Sequence, residues 1–242
     1  MPLLIALQFL TRLPISLPRM PTPAESGRSL LWYPFVGLLL GCLLLLAHVV
    51  LNGVSLWLHA ALLLSLWVWL SGGLHLDGLA DMADAWVGGY GDRERTLAIM
   101  KDPACGPIGV ITLVMLLLLK WAALLALLEA GHWTIVLLAP WLGRCVLPLL
   151  LFTTPYVRPG GMGQVLVEHL PRRSLPAVLV VHVLAMLMFG WSALLAVSVA
   201  LMVLLLLRHY LRQRLGGTTG DTAGALVELV EGAVVVVGAV TL

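Results

Sequence analysis

The chain has 242 residues, 61% of them hydrophobic and 11% charged, with a formal net charge of +2. A soluble domain carries about 25% charged residues, and several apolar runs here reach the roughly 20 residues that cross a hydrocarbon core. Those numbers exclude a soluble domain and predict an all-α polytopic membrane protein, with the lipid bilayer as its medium and no nucleic-acid partner. Cys42, Cys105 and Cys145 form no CxxC pair, so neither a disulfide framework nor a zinc site is expected; they read as small packing residues.

Residues 1–29 lack a basic n-region and are interrupted by prolines, which argues against a signal peptide. Gln8, Thr11 and Arg12 share one helical face, as an interfacial cytoplasmic helix would require. Apolar runs then predict about seven transmembrane helices (six to eight), near 30–51, 54–71, 108–128, 133–152, 174–189, 191–207 and 222–242. As one helix, Ser174–Leu207 would be about 51 Å long, so Gly190 is expected to divide it into two short spans. No internal repeat or linker is visible, and one domain over 1–242 is the economical reading.

The basic residues test that count. Four segments, 1–29, 72–107, 153–173 and 208–221, hold 12 of the 14 Lys and Arg residues. Seven spans put all four on one face, which the positive-inside rule makes cytoplasmic, with the N-terminus and the long loops. The remaining two, Lys120 and Arg144, lie inside spans, as do Glu228 and Glu231. Intramembrane charges are costly and need partners. Counted from the cytoplasmic ends, Arg144 and Glu228 lie about 10–12 Å deep and Lys120 and Glu231 about 15–18 Å deep. That arithmetic predicts the pairs Arg144–Glu228 and Lys120–Glu231.

The 72–107 segment contains six of the chain's 12 acids. In "HLDGLADMADAW" (75–86), Asp77, Asp81 and Asp84 stand at about 0°, 40° and −20° on a helix turning 100° per residue. Like charges at that spacing repel, so a cation is expected among them. Mg²⁺ fits, because it takes a few carboxylates and completes its shell with phosphate and water. Arg93, Arg95 and Lys101 lie in the same segment, in the combination that phosphoryl or nucleotidyl transfer uses. Asp84 and Asp102 are the candidate bases; His75 is a further catalytic candidate and suits a local hydrogen bond at the helix entry equally well.

"GGTTGD" (216–221) opens the last span. Gly217, Thr219, Gly220 and Asp221 suit phosphate or ribose at a helix N-terminus, and they suit plain capping by Thr219 or Asp221 equally well; no P-loop lysine follows. "PRRS" (171–174), Arg208, Arg212 and Arg214 read as anchors for anionic headgroups.

"HLDGLADMADAW", "IMKDPACGPIGV" (99–110) and "GGTTGDTAGALVELVE" (216–231), with "ALQFLTRLPI" and "YPFVGLLLG" near the N-terminus, resemble the cobalamin synthase family, the adenosylcobinamide-GDP ribazoletransferases. The resemblance covers most of the chain, in order. It implies a bacterial inner-membrane enzyme that joins adenosylcobinamide-GDP to α-ribazole or its 5′-phosphate, releases GMP and uses Mg²⁺. On that reading Asp77, Asp81 and Asp84 hold the metal, and Asp84 or Asp102 serves as base. Homo-oligomers and association with other corrinoid-pathway enzymes stay open.

Two rival readings are weaker. The CDP-alcohol phosphotransferases share an aspartate-rich helix, but their fuller signature is missing: Met82-Ala83 follows Asp81, and Gly88 lies four residues beyond Asp84. An ion-coupled transporter would need a polar path near the midplane, whereas the dense chemistry here sits in loops.

Overall fold

The computed structural model describes residues 1–161 and 163–242 in full and Met162 by its backbone. Its elements are α1 (Pro2–Leu10), α2 (Pro23–Ser29), α3 (Tyr33–Val50), α4 (Leu56–Ser71), α5 (Leu74–Gly88), α6 (Arg93–Ile99), α7 (Pro107–Glu129), α8 (Thr134–Thr153), α9 (Met162–Glu168), α10 (Leu175–Leu187), α11 (Trp191–Leu215) and α12 (Gly220–Val240). A single 3₁₀ turn fuses α2 to α3.

The protein is an all-α polytopic membrane protein. Among the described residues, five stretches are long and apolar enough to cross a membrane: 23–50, α7, α8, α11 and α12. The second predicted span is α4, which breaks at Gly72–Gly73 and continues as α5 after a bend of 88°. Both glycines have φ near +70° (71° and 72°), a conformation that side chains with a Cβ resist. Gly190, at φ 78°, divides α10 from α11 as predicted. The two halves are unequal, however. α10 has 13 residues, about 20 Å, while α11 has 25 and continues through Arg208, Arg212 and Arg214, which were expected to lie in a loop.

α8 and α12 form the middle of the bundle. Gly37 and Gly41 of α3, one turn apart, let that helix touch α8: a Cβ on them would meet the carbonyls of Pro140 at 2.5 Å and Leu137 at 2.6 Å. Small residues at this spacing are how helices associate where lipid is as apolar as leucine. The four basic segments gather at one end. Arg12 N–H donates to Leu70 O, Arg208 to Thr153 O, Arg93 to Leu215 O and Arg214 to Trp86 O. Arg208 and Arg214 therefore stitch helix ends together. Cys145 is buried as expected, but Cys42 and Cys105 are exposed.

Of the two pairs that the depth arithmetic predicts, Lys120–Glu231 forms, whereas Arg144 takes Glu231 in place of Glu228. Lys120 Nζ donates to Glu228 at 3.0 Å and to Glu231 at 2.8 Å, and it lies 4.3 Å from the centre of the Trp67 ring. Arg144 donates to the other oxygen of Glu231. Glu228 and Glu231 are one turn apart on the same face of α12, and long side chains span the few ångströms of depth that the arithmetic treated as decisive. The set has two cations and two anions, so it cancels. Breaking a buried pair leaves an uncompensated charge and costs about 3–5 kcal/mol. Glu231→Gln, which leaves Arg144 without its carboxylate and Lys120 with Glu228 alone, should lower unfolding free energy by about 3 kcal/mol or more, and by more than Glu228→Gln, which leaves both cations a carboxylate. Reversible unfolding in bicelles measures both; an equal or larger loss for Glu228→Gln contradicts this network.

Candidate active site

α5 lies across the end of the bundle where the basic segments meet, and two glycines let it cross α12 at close range. A Cβ on Gly78 would come within 2.7 Å of Asp221 O, and one on Gly224 within 3.3 Å of His75 Cα. The crossing brings the first two aspartates of α5 near the start of α12. A cavity of about 450 Å³ opens there, lined by His75, Asp77, Lys101, Tyr156, Arg158 and Asp221, with Phe9, Leu147, Leu151 and Leu166 on its apolar side.

Arg158 donates to Asp221 Oδ2 at 2.6 Å. It reaches the cavity because the loop after α8 is latched to the segment before α12: Val157 N–H donates to Thr218 O at 2.9 Å, and Thr218 N–H to Pro155 O at 2.8 Å. The Tyr156 ring packs on Gly163, where a Cβ would lie 2.5 Å from it, and its hydroxyl lies 2.7 Å from where a Cβ on Gly161 would be. Arg158 and Tyr156 are functional candidates that the sequence reading passed over. Arg158 entered it only as a topological charge; "PYVRPGGMG", with its basic residue before paired glycines, carried the missed signal.

The electrostatics favour a cation. The Asp81 carboxyl is pushed up from 3.8 to about 6, first by burial, then by Asp77 and Asp221, against a smaller opposing effect of Arg158. Asp77, Asp81 and Asp221 thus form a carboxylate group with one arginine beside it. These are hard oxygen donors, and they fit a divalent ion held by one or two carboxylates with phosphate and water. Among the described residues, no three His, Cys, Asp or Glu side chains converge closely enough to enclose a metal on their own.

Several expected site residues have other work. Asp84 does not join the trio: its Oδ2 accepts Gly106 N–H at 2.7 Å and its Oδ1 accepts Gly109 N–H at 2.9 Å. It caps the start of α7 from a distance, and a Cβ on either glycine would come within 2.5 Å of it. Both of its oxygens are engaged, so Asp84 is poorly placed as a base. Asp102 is exposed and accepts Ala104 N–H at 3.0 Å. Arg93 donates to Leu215 O at 2.8 Å, and Arg95 lies over the exposed Tyr90 ring. Thr219 is fully buried and caps α12 in a reciprocal box with Thr222. Gly217 is pressed against Pro155, where a Cβ would be 2.2 Å from the carbonyl oxygen. Of the "GGTTGD" residues assigned to substrate, Gly220 and Asp221 face the cavity; Gly217 and Thr219 build the turn that presents them. His75 is buried in the cavity wall, with Nδ1 3.4 Å from Arg144 Nη2.

Comparison with known proteins decides the family. The cobalamin-5-phosphate synthase model matches residues 2–239. The chain belongs to that family. A relative from Ectopseudomonas mendocina, named adenosylcobinamide-GDP ribazoletransferase, is 69% identical over 94% of this chain and 93% of its own. Proteins with the same name from Pseudomonas aeruginosa and Pseudomonas putida are 63% and 62% identical, each over 97% of this chain and over 96% and 97% of their own. No solved structure matches.

The shifted carboxyl carries a stability consequence whose sign is fixed. Because Asp81 holds its proton more tightly folded than unfolded, its ionisation costs stability as pH rises from about 4 to 6, and the cost is complete above that range. In chelator, Asp81→Asn should therefore raise the thermal midpoint at pH 8 and leave it unchanged near pH 4. A lower midpoint at pH 8 would mean that the carboxylate is already compensated inside the protein.

Proposed function

We propose that the chain transfers the adenosylcobinamide-phosphate group from adenosylcobinamide-GDP to α-ribazole or α-ribazole 5′-phosphate, releasing GMP. The observation that carries this reading is the full-length match to the family together with a cavity that sets carboxylates, Arg158 and Lys101 opposite an apolar wall. The acceptor hydroxyl oxygen attacks the cobinamide-side phosphorus, the bond from that phosphorus to the bridging oxygen breaks, and GMP leaves with the electron pair. Arg158 and Lys101 bind phosphate oxygens and offset the charge that develops on them. The apolar wall of Phe9, Leu147, Leu151 and Leu166 gives the corrinoid end a dry surface near the membrane.

Asp77 and Asp81, with Asp221 across the crossing, are the residues that would hold Mg²⁺. The ion would supply charge neutralisation on the pyrophosphate. A carboxylate of this trio left clear of metal takes the hydroxyl proton, the role the sequence assigned to Asp84 or Asp102. The positive-inside count supports a bacterial inner-membrane location with this end of the bundle in the cytoplasm. A transporter reading gains nothing from the intramembrane charges, which close on one another.

The test is GMP release in proteoliposomes given adenosylcobinamide-GDP and α-ribazole 5′-phosphate. Wild type should release GMP only with Mg²⁺, and folded Asp81→Asn should lose at least about 100-fold in kcat/KM. Undiminished release by the variant would move the chemistry off this helix. No release by wild type would point to another nucleotide-activated donor.

A further inference from the structure

A second hollow, of about 540 Å³, adjoins the cavity beside the α4–α5 elbow. Phe9, Leu74 and Asp77 line both, so the two spaces meet at the first aspartate of α5. Its remaining polar lining is almost fully committed. Gln8 donates to Ile15 O at 3.2 Å, Thr11 to Leu7 O at 2.6 Å and Ser71 to Val68 O at 3.1 Å.

Arg12 is the exception. Its guanidinium makes one long contact, 3.5 Å to Gly72 O, and joins no ion pair among the described residues. Arg12 is exposed, but its backbone and stem are held in place. The Arg12 N–H donates to Leu70 O at 2.8 Å, and its stem lies on Gly72, where a Cβ would be 2.6 Å from Nε. Among the described residues, Arg12 is the only Lys or Arg lining this hollow, and the first turn of α5, which has no side-chain cap, also borders it.

Resting on the transferase reading, we infer that this hollow is the acceptor's phosphate subsite, with Arg12 binding the 5′-phosphate of α-ribazole 5′-phosphate. The chemistry of the two substrates separates them. On the guanosine side the donor presents no anion beyond the pyrophosphate itself, which the carboxylates, Arg158 and Lys101 already serve. The phosphorylated acceptor brings a second anionic group, remote from its attacking hydroxyl. A cation set apart from the reacting centre, in a space that opens onto it, matches that group. The same chemistry could be met by a phospholipid headgroup, so lipid composition belongs in the test.

In proteoliposomes of phosphatidylcholine alone, Arg12→Gln should lower kcat/KM for α-ribazole 5′-phosphate on the order of 10- to 100-fold, mainly through KM, and leave unphosphorylated α-ribazole within about twofold. Arg12→Lys should restore most of the loss. Equal losses on both acceptors in a folded variant overturn the inference and make Arg12 a brace for the elbow. A loss that needs anionic lipid in the vesicles overturns it in favour of a headgroup. Equilibrium binding of the two acceptors without donor keeps the subsite separate from the reaction. If wild type binds the phosphorylated acceptor more tightly and Arg12→Gln does not, the subsite stands even without GMP release. If wild type shows no such preference, the subsite falls whatever the turnover.

Discussion

Four charges inside an apolar bundle have to cancel, and much of this structure follows from how they do so. Lys120, Arg144, Glu228 and Glu231 come from α7, α8 and α12, and Glu231 cannot serve both of its cations unless the three helices keep one relative height. In hydrocarbon a charge left without its partner is far more costly than a mismatched apolar contact. The network therefore acts as a register device for the helices beneath the site. It also touches the site directly, since Arg144 lies beside His75 in the cavity wall.

Above that fixed frame, the elbow at Gly72–Gly73 turns the aspartate helix across the end of the bundle. Gly78 and Gly224 remove the side chains that would hold it away from α12. Carboxylates from two helices thereby share a space, which is electrostatically unfavourable for the protein alone; burial first, and then Asp77 and Asp221, raise the Asp81 carboxyl. Sites that store such repulsion are suited to binding a cation with its anionic substrate, and they trade stability for it. The loop holding Arg158 is latched by backbone hydrogen bonds, so the opposing charge is in place beforehand.

Much of this was legible in the sequence. Run lengths identified the helices, Gly190 the break between α10 and α11, and the distribution of arginine the end of the bundle where loops meet. The shared face of Asp77 and Asp81 followed from helical period alone. What was hidden depends on tertiary direction. Asp84 lies on the same face by angle, yet one further turn brings it under the start of α7, where two backbone N–H groups claim it. Thr219 and Gly217 look like ligands because the residues that cap a helix also suit phosphate. The pairing of Glu231 with Arg144 turned on side-chain reach, which a depth count omits. Arg158 stayed anonymous because the latch that carries it joins segments about 60 residues apart in sequence, between two helices whose packing no local pattern encodes.

The central claim is that α5 and α12 contribute carboxylates to a single site. The most direct measurement is a double-mutant cycle on Asp81→Asn and Asp221→Asn, read as kcat/KM for GMP release by folded protein in proteoliposomes. One shared site predicts strong non-additivity: the double variant falls little below the worse single one. Losses that simply multiply would mean that the two carboxylates act independently, and that the crossing at Gly78 does not build the reaction centre.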